Sequence, residues 1–301
     1  MALEKTVAGV VATEGIGIHS GRHVRLELRP ACPGSGVVFV RTDLGCRIPA
    51  RAENLRSHLL ATTLGADGAE VGTVEHLLAA LYGRGVTNVE IGIDGAEVPI
   101  LDGSARPFVD LLETVGVEEQ GVTLPEIVVT DAIRVAEGER WIEVRPAPEF
   151  HVDYRVRFEA AAIGWQHYQA VLDPDRFTEA VAPARTFGML AEAPDLRRRG
   201  LGLGASLDNC VVVDGHRVLS GPLRFQDEFV RHKVLDLVGD LALLEYPVRG
   251  SIVAHRAGHG LHLALVRELL ARPESWVLAE PGRAAAFTVR PYRVELEASA
   301  G

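Results

Sequence analysis

One stretch constrains this chain more than any other: Phe-Gln-Asp-Glu-Phe-Val-Arg-His-Lys-Val-Leu-Asp-Leu-Val-Gly-Asp-Leu-Ala-Leu-Leu, residues 225–244. Asp227 and Glu228 place carboxylates where the positive end of a helix dipole favours them. At about 100° of rotation per residue, Val230, Val234, Leu235, Leu237, Val238, Leu241 and Ala242 then cover most of the circumference. A helix apolar nearly all round belongs in an interior. Yet His232, Asp236 and Asp240 fall at i, i+4 and i+8 in one narrow stripe, with Lys233 at its border. Buried without partners, those groups would be strongly destabilising. A divalent metal held by His232 and Asp236 removes that cost, because i, i+4 spacing lets both side chains reach one ion. A buried histidine–carboxylate hydrogen-bond pair removes it too. The helix by itself leaves both open.

A length of 301 residues suggests two domains of about 150. With 47% hydrophobic and 24% charged residues, the chain has ample material for folded cores. A formal charge of -10 argues against general nucleic-acid binding, though a local Lys/Arg pocket could still take an anionic substrate. Cys32, Cys46 and Cys210 lack Cys-x-x-Cys spacing, which argues against a disulfide framework and a cysteine zinc site and points to the cytoplasm. The first residues lack the pattern of a signal peptide, and no stretch nears the roughly 20 apolar residues of a membrane span. Any lipid would be met from the aqueous side.

Along the chain, Lys5–Thr13, Val24–Leu28 and Val37–Arg41 read as strands, separated by Gly- and Pro-marked turns. His19, beside the turn Gly15–Gly21, reads as a turn residue. Gly72–Gly83 reads as an apolar helix with Thr73 as N-cap and glycine stops. Its first turn holds Glu75 and His76. The helix end would keep Glu75 ionised and His76 neutral, with a lone pair free for a metal. A solvated helix start is the alternative, but the histidine–aspartate stripe at 232–236 needs the further ligand that this turn can supply.

A strand over Asn88–Asp94 and a helix over Ser104–Val115 follow, and residues 117–126 read as an inter-domain crossing. Strand-like runs resume at Ile127–Val135, Arg140–Val144 and Val152–Phe158. Arg185–Gly188 reads as a loop presenting a hydroxyl and an aromatic ring, and Leu201–Asp208 as a loop beside a channel. After the 225–244 helix come a strand, Gly250–His255, a turn placing His259 between two glycines, and a helix, Leu261–Leu270. Both halves thus run helix, strand, loop, helix, with metal-type residues on the first helix of each. A cleft between two similar halves is an ordinary catalytic location. Glu297–Gly301 reads as a flexible end.

Six motifs occur together in order: Thr-Val-Glu-His (73–76), Asp-Gly-Ser-Ala-x-Pro-Phe (102–108), Arg-Thr-Phe-Gly (185–188), Phe-Val-Arg-His-Lys-x-Leu-Asp (229–236), Gly-Asp-Leu (239–241) and Gly-His (258–259). In this the chain closely resembles the UDP-3-O-acyl-N-acetylglucosamine deacetylases, zinc enzymes of lipid A biosynthesis. The resemblance implies an α/β (α+β) fold of two similar domains, 1–125 and 126–301, each with helices packed on β-sheet and the active site at their interface. It implies an acylated UDP-sugar as substrate; the sequence does not determine the oligomeric state, for which a monomer is the expectation. It also implies His76, His232 and Asp236 as zinc ligands, Glu75 as general base, His259 as cationic acid and Asp240 as its partner. Thr186 and Lys233 would face the developing oxyanion, and Phe187 would line the substrate site. Ala205 and Leu207 match an acyl-chain passage, and Arg140 a contact to the diphosphate. Three departures bear on substrate details: Ala61 where members often carry cysteine, Arg140 where lysine is common, and Phe158–Gly164 without a His-Pro pair. A different metal-dependent amidohydrolase of N-acetyl sugars, and a non-catalytic binding protein of the same fold, are the competing expectations.

Overall fold

The same strand order occurs twice in this protein, whose computed structural model describes residues 2–280. The expectations for residues 281–301, the tail Glu297–Gly301 among them, lie outside the described residues.

The first half runs β1 (Leu3–Val7), β2 (Val11–Ile16), β3 (His23–Pro30), β4 (Val37–Arg41) and β5 (Cys46–Pro49). The short strands β6 (Leu55–Ser57), β7 (Thr63–Ala66) and β8 (Ala69–Val71) lead into helix α1 (Glu75–Gly83). Strand β9 (Val89–Ile93), helix α2 (Arg106–Val115) and strand β10 (Val117–Thr123) complete it. The second half runs β11 (Glu126–Val129), β12 (Ile133–Glu137), β13 (Arg140–Arg145), β14 (His151–Arg157), β15 (Trp165–Val171) and α3 (Pro174–Ala180). Then come β16 (Phe187–Met189), α4 (Ala193–Arg198), β17 (Val211–Asp214) and β18 (Arg217–Val218). Helix α5 (Glu228–Leu241), β19 (Val248–Arg249), β20 (Ser251–His255), α6 (His259–Ala271) and β21 (Trp276–Ala279) follow.

The first five-stranded sheet has the order β2-β3-β9-β4-β5 and the second β12-β13-β20-β14-β15. In both, the one parallel pairing lies at the same place, β4 with β9 and β14 with β20. In both, a three-stranded sheet (β6-β7-β8, then β16-β17-β18) is inserted between the last antiparallel strand and the buried helix. An outer antiparallel pair also recurs, β1 with β10 and β11 with β21. The expected pair of similar α+β halves is therefore present in the topology.

Sequence pattern explains the layering. In β3 and β14 burial alternates along the strand, as required of a sheet with one face on the core. Helix α2 buries only Phe108, Val109 and Leu112, whereas α5 buries residues all round. Helix α5 rests on β14 and β15, α6 on β12 and β13, and α1 packs directly against α5. One continuous apolar core joins the halves through that helix contact.

Several local expectations are corrected. Residues 117–126 are no plain crossing, because β10 pairs with β1 as an exposed ribbon whose polar residues face water. The runs Lys5–Thr13 and Ile127–Val135 each split into two strands of different sheets. Phe187 and Gly188 lie in β16, hydrogen-bonded parallel to β17, not in a loop. Thr73 is not an N-cap: it adopts φ 55°, and its hydroxyl donates to Glu97 Oε1 at 3.1 Å. Left-handed backbone at a β-branched residue costs about 1–3 kcal/mol and persists only where its surroundings enforce it. Here Glu97 does so by also accepting the backbone N–H groups of His19 and Ser20, both at 2.8 Å.

Candidate active site

The site exists because α1 and α5 cross almost in backbone contact. A Cβ added at Gly239 would lie 2.1 Å from the Glu75 carbonyl oxygen and 2.8 Å from its carbonyl carbon. Glycine at that position brings the first turn of α1, with Glu75 and His76, onto the His232–Asp236–Asp240 stripe of α5. All five side chains are buried.

His76 Nε2 and His232 Nε2 lie 3.9 and 3.3 Å from Asp236 Oδ1. Donor atoms of the three residues fall within 4.8 Å of one another. His232 Nδ1 is 3.0 Å from the Ala184 carbonyl oxygen, so it is protonated there and donates, leaving the Nε2 lone pair toward Asp236. Burial holds the His232 imidazole below its ordinary pKa and pushes that of His76 down to about 3, so both are neutral near pH 7. Asp236 Oδ1 is buried without any hydrogen-bond partner. Burial would raise this carboxyl, but the His232 imidazole and the Lys233 ammonium beside it outweigh that and hold it well below the usual range. An ionised oxygen thus faces the His232 Nε2 lone pair at 3.3 Å, an arrangement that repels unless a cation lies between them. Two imidazole nitrogens and one carboxylate oxygen are a donor set that fits zinc.

Two further titratable groups, Glu75 and His259, adjoin this cradle. Thr62 N–H donates to Glu75 Oε2 at 3.0 Å, while Oε1 lies 3.6 Å from His259 Nε2. Burial pushes the Glu75 carboxyl up to about 7, overriding the helix end that was expected to keep it ionised. His259 is the first residue of α6 rather than a loop residue. Its flanking glycines are not what lets it reach the site, since Gly258 is extended at φ -166° with nothing within 4 Å of a Cβ there. Its Nδ1–H donates to Asp240 Oδ2 at 2.7 Å, which turns Nε2 toward Glu75 and Asp236. Burial would lower the His259 pKa, but the charges of Asp240 and Asp236 outweigh it and bring it up to about 10.

A cavity of about 540 Å³ opens from Glu75 and His76 and runs between Ile18, Ile100, Met189, Leu207, Cys210 and Val212. Thr186, Phe187, Ala205 and Leu207 all line it, so the loop 201–208 does flank a channel. Thr186 is placed by its N–H, which donates to the Gly103 carbonyl at 2.7 Å. Phe187 stands edge-on to Phe229, with ring centroids 5.0 Å apart. Lys233 donates to Asp236 Oδ2 at 2.7 Å, occupying the oxygen that the metal cradle does not use. Arg140 is not among the cavity residues: it sits on the exposed β12–β13 hairpin, ion-paired to Glu137 at 2.6 Å. Sequence reasoning missed Thr62, whose hydroxyl donates to Asp240 Oδ1 at 2.6 Å. It missed His262, one helical turn from His259, and treated His19, which lines the cavity, as a turn residue. The i, i+3 spacing of His259 and His262 was the available signal for the second histidine.

Two neutral imidazoles and an ionised carboxylate that could hold a metal, beside a second carboxyl and a protonated imidazole, are the arrangement expected of a metal-dependent hydrolase. The family described as UDP-3-O-acyl N-acetylglycosamine deacetylase matches residues 4–271. The UDP-3-O-acyl-N-acetylglucosamine deacetylase of Myxococcus xanthus is 43% identical over 283 residues, covering 93% of this chain and 90% of the relative. The enzyme of the same name from Histophilus somni is 43% identical over 92% of each chain, and that of Haemophilus influenzae strain 86-028NP 42% identical over the same shares. This chain belongs to the UDP-3-O-acyl N-acetylglycosamine deacetylase family. Among the described residues, no helix is long and apolar enough to cross a membrane.

Proposed function

We propose that the protein is a zinc-dependent hydrolase that removes the acetyl group from UDP-3-O-acyl-N-acetylglucosamine, releasing acetate and UDP-3-O-acyl-glucosamine for lipid A biosynthesis. The observation that carries this reading is the unpartnered Asp236 Oδ1, aimed at two imidazole nitrogens where an apolar cavity begins. His76, His232 and Asp236 would hold the ion. Zinc there supplies Lewis acidity, acidifying a coordinated water and polarising the amide carbonyl.

The chain's own groups account for the rest. Glu75, fixed through Oε2 by the Thr62 N–H, takes the proton of the attacking water on Oε1. As the water oxygen bonds to the acetyl carbon, charge grows on the carbonyl oxygen, and the Thr186 hydroxyl and the Lys233 ammonium would stabilise it, Thr186 from the cavity wall and Lys233 from beside Asp236. His259, kept cationic by Asp240, delivers the Nε2 proton to the departing nitrogen as the C–N bond breaks. The acyl chain enters the cavity past Phe187 toward Ala205 and Leu207. The two catalytic halves are taken as residues 1–125 and 126 onward, supported by the outer pairs β1–β10 and β11–β21. A non-catalytic role would not need both Glu75 and His259 aimed at the cradle.

Acetate release from UDP-3-O-acyl-N-acetylglucosamine, with UDP-N-acetylglucosamine as comparison, tests the reading. Release from the acylated sugar alone is expected. Equal release from both would favour a broader amidohydrolase, and none from either a binding protein.

A further inference from the structure

We propose that His262 and Tyr154 form a positioning arm for the catalytic acid, a buried chain Tyr154–His262–Asp240 that holds Asp240 Oδ2 against His259. The proposal rests on the acid role of His259 given above. His262 Nδ1–H donates to the same Asp240 oxygen as His259 does, at 2.9 Å. On its other side, His262 Nε2 lies 2.7 Å from the Tyr154 hydroxyl. Tyr154, His262 and Asp240 are each 0% exposed.

The direction of the chain follows from the available hydrogens. Asp240 can only accept, so His262 carries its proton on Nδ1 and presents a lone pair at Nε2. Tyr154 therefore donates to it, and burial keeps that phenol protonated. The three-donor group Asp240, His259 and His262 is thus no second metal centre: its Asp240 and Nδ1 atoms are already engaged with one another by hydrogen bonds.

Secondary structure builds the arm. His259 and His262 are one turn apart on α6, so both imidazoles meet α5 at Asp240. Tyr154 occupies an inward position in the alternating burial of β14, the strand under α5, and its hydroxyl reaches His262 of α6. Thr62 holds Asp240 Oδ1, and His262 fixes Oδ2. Without His262 the carboxylate could turn about its terminal torsion, and His259 would lose the partner that aims Nε2 at the reaction. Neither His262 nor Tyr154 lines the cavity, and His262 also stands edge-on to His259 with ring centroids 6.0 Å apart, so their hydrogen bonds reach the acid through Asp240.

The test compares zinc-loaded wild type with His262→Ala, His262→Asn and Tyr154→Phe. An asparagine amide nitrogen can stand where Nδ1 stands, so His262→Asn restores the donor to Asp240 but not the link to Tyr154. His262→Ala should lower kcat about 10- to 100-fold while KM and bound zinc stay within about twofold. His262→Asn should recover most of that loss, which a purely space-filling role would not produce. Long-range proton–nitrogen spectra of the metal-free protein supply a readout independent of turnover. They should show His262 protonated at Nδ1, and Tyr154→Phe should move its Nε2 resonance. Unchanged kcat in His262→Ala, no rescue by asparagine, or a His262 protonated at Nε2 would each overturn the proposal. Absence of acetate release by wild type would instead sink the functional reading, leaving the spectra to judge the arm.

Discussion

Gly239→Ala separates stability from site geometry in this fold. The added Cβ would meet the Glu75 carbonyl oxygen at 2.1 Å and its Cα at 3.0 Å, all backbone atoms that no side-chain rotation can clear. Since real Cβ contacts essentially never fall below 3.0 Å, α1 and α5 must part by about 1 Å. Overpacking of this kind costs about 1–3 kcal/mol. Replacing glycine by alanine inside a helix returns about 1 kcal/mol. The net loss of stability should therefore be about 0–2 kcal/mol. The site suffers far more, because Glu75 and His76 ride on one helix and His232, Asp236 and Asp240 on the other. A further 1 Å between His76 Nε2 and Asp236 Oδ1, now 3.9 Å apart, spoils a cradle whose bonds to zinc are near 2 Å. Misplacement by about 1 Å costs about 100-fold in rate. Urea unfolding, zinc content and acetate release on the same preparation measure all three quantities. Gly258→Ala is the control, since a Cβ there meets nothing within 4 Å. A Gly239→Ala enzyme with full zinc and wild-type turnover would refute the helix-contact argument.

Other expectations follow from individual groups. Glu75→Gln should largely abolish turnover while leaving zinc bound, as read by kcat and metal analysis; full activity would remove Glu75 from the mechanism. Because folding raises the His259 pKa from 6.5 to about 10, the stability it contributes is complete below about pH 6.5 and lost as pH rises through 10. The difference in melting temperature between metal-free wild type and His259→Gln should shrink over that window, and a constant difference would contradict the assignment. Glu228, 0% exposed, accepts from Arg185 Nε and Nη2 at 2.8 and 3.1 Å and from the Arg224 N–H at 2.7 Å. Arg185→Met should cost about 3–5 kcal/mol in urea unfolding, and adding Glu228→Leu should recover part of it; equal stabilities of single variant and wild type would show the pair to be dispensable.

What could be read from the sequence depended on whether a feature was local. The 225–244 pattern is a property of consecutive residues, and α5 forms there with its polar stripe buried as the cost argument required. The repeat of helix, strand and helix was also visible, though the strand orders were not, because pairing partners lie far apart in sequence. The role of Gly239 depends on another helix whose backbone would lie 2.1 Å from a Cβ placed there, which nothing near it announces. Thr62 serves as a donor from the connection between β6 and β7 of the inserted sheet, and Tyr154 reads only as one inward position of β14. Thr73 looked like a helix cap because its hydroxyl suits one, but Glu97, 24 residues away, takes that hydroxyl instead. The helix-end argument for Glu75 failed for a related reason: burial, invisible locally, exceeds the dipole.

The central claim is that His76, His232 and Asp236 together hold the zinc on which hydrolysis depends. X-ray absorption at the zinc edge on purified protein, paired with turnover before chelation, after it and after zinc is restored, tests it most directly. The account predicts one zinc per active chain with nitrogen and oxygen ligands near about 2.0–2.2 Å and no sulfur, and activity that leaves and returns with the metal. A zinc–sulfur shell, or acetate release that survives complete removal of the metal, would contradict it.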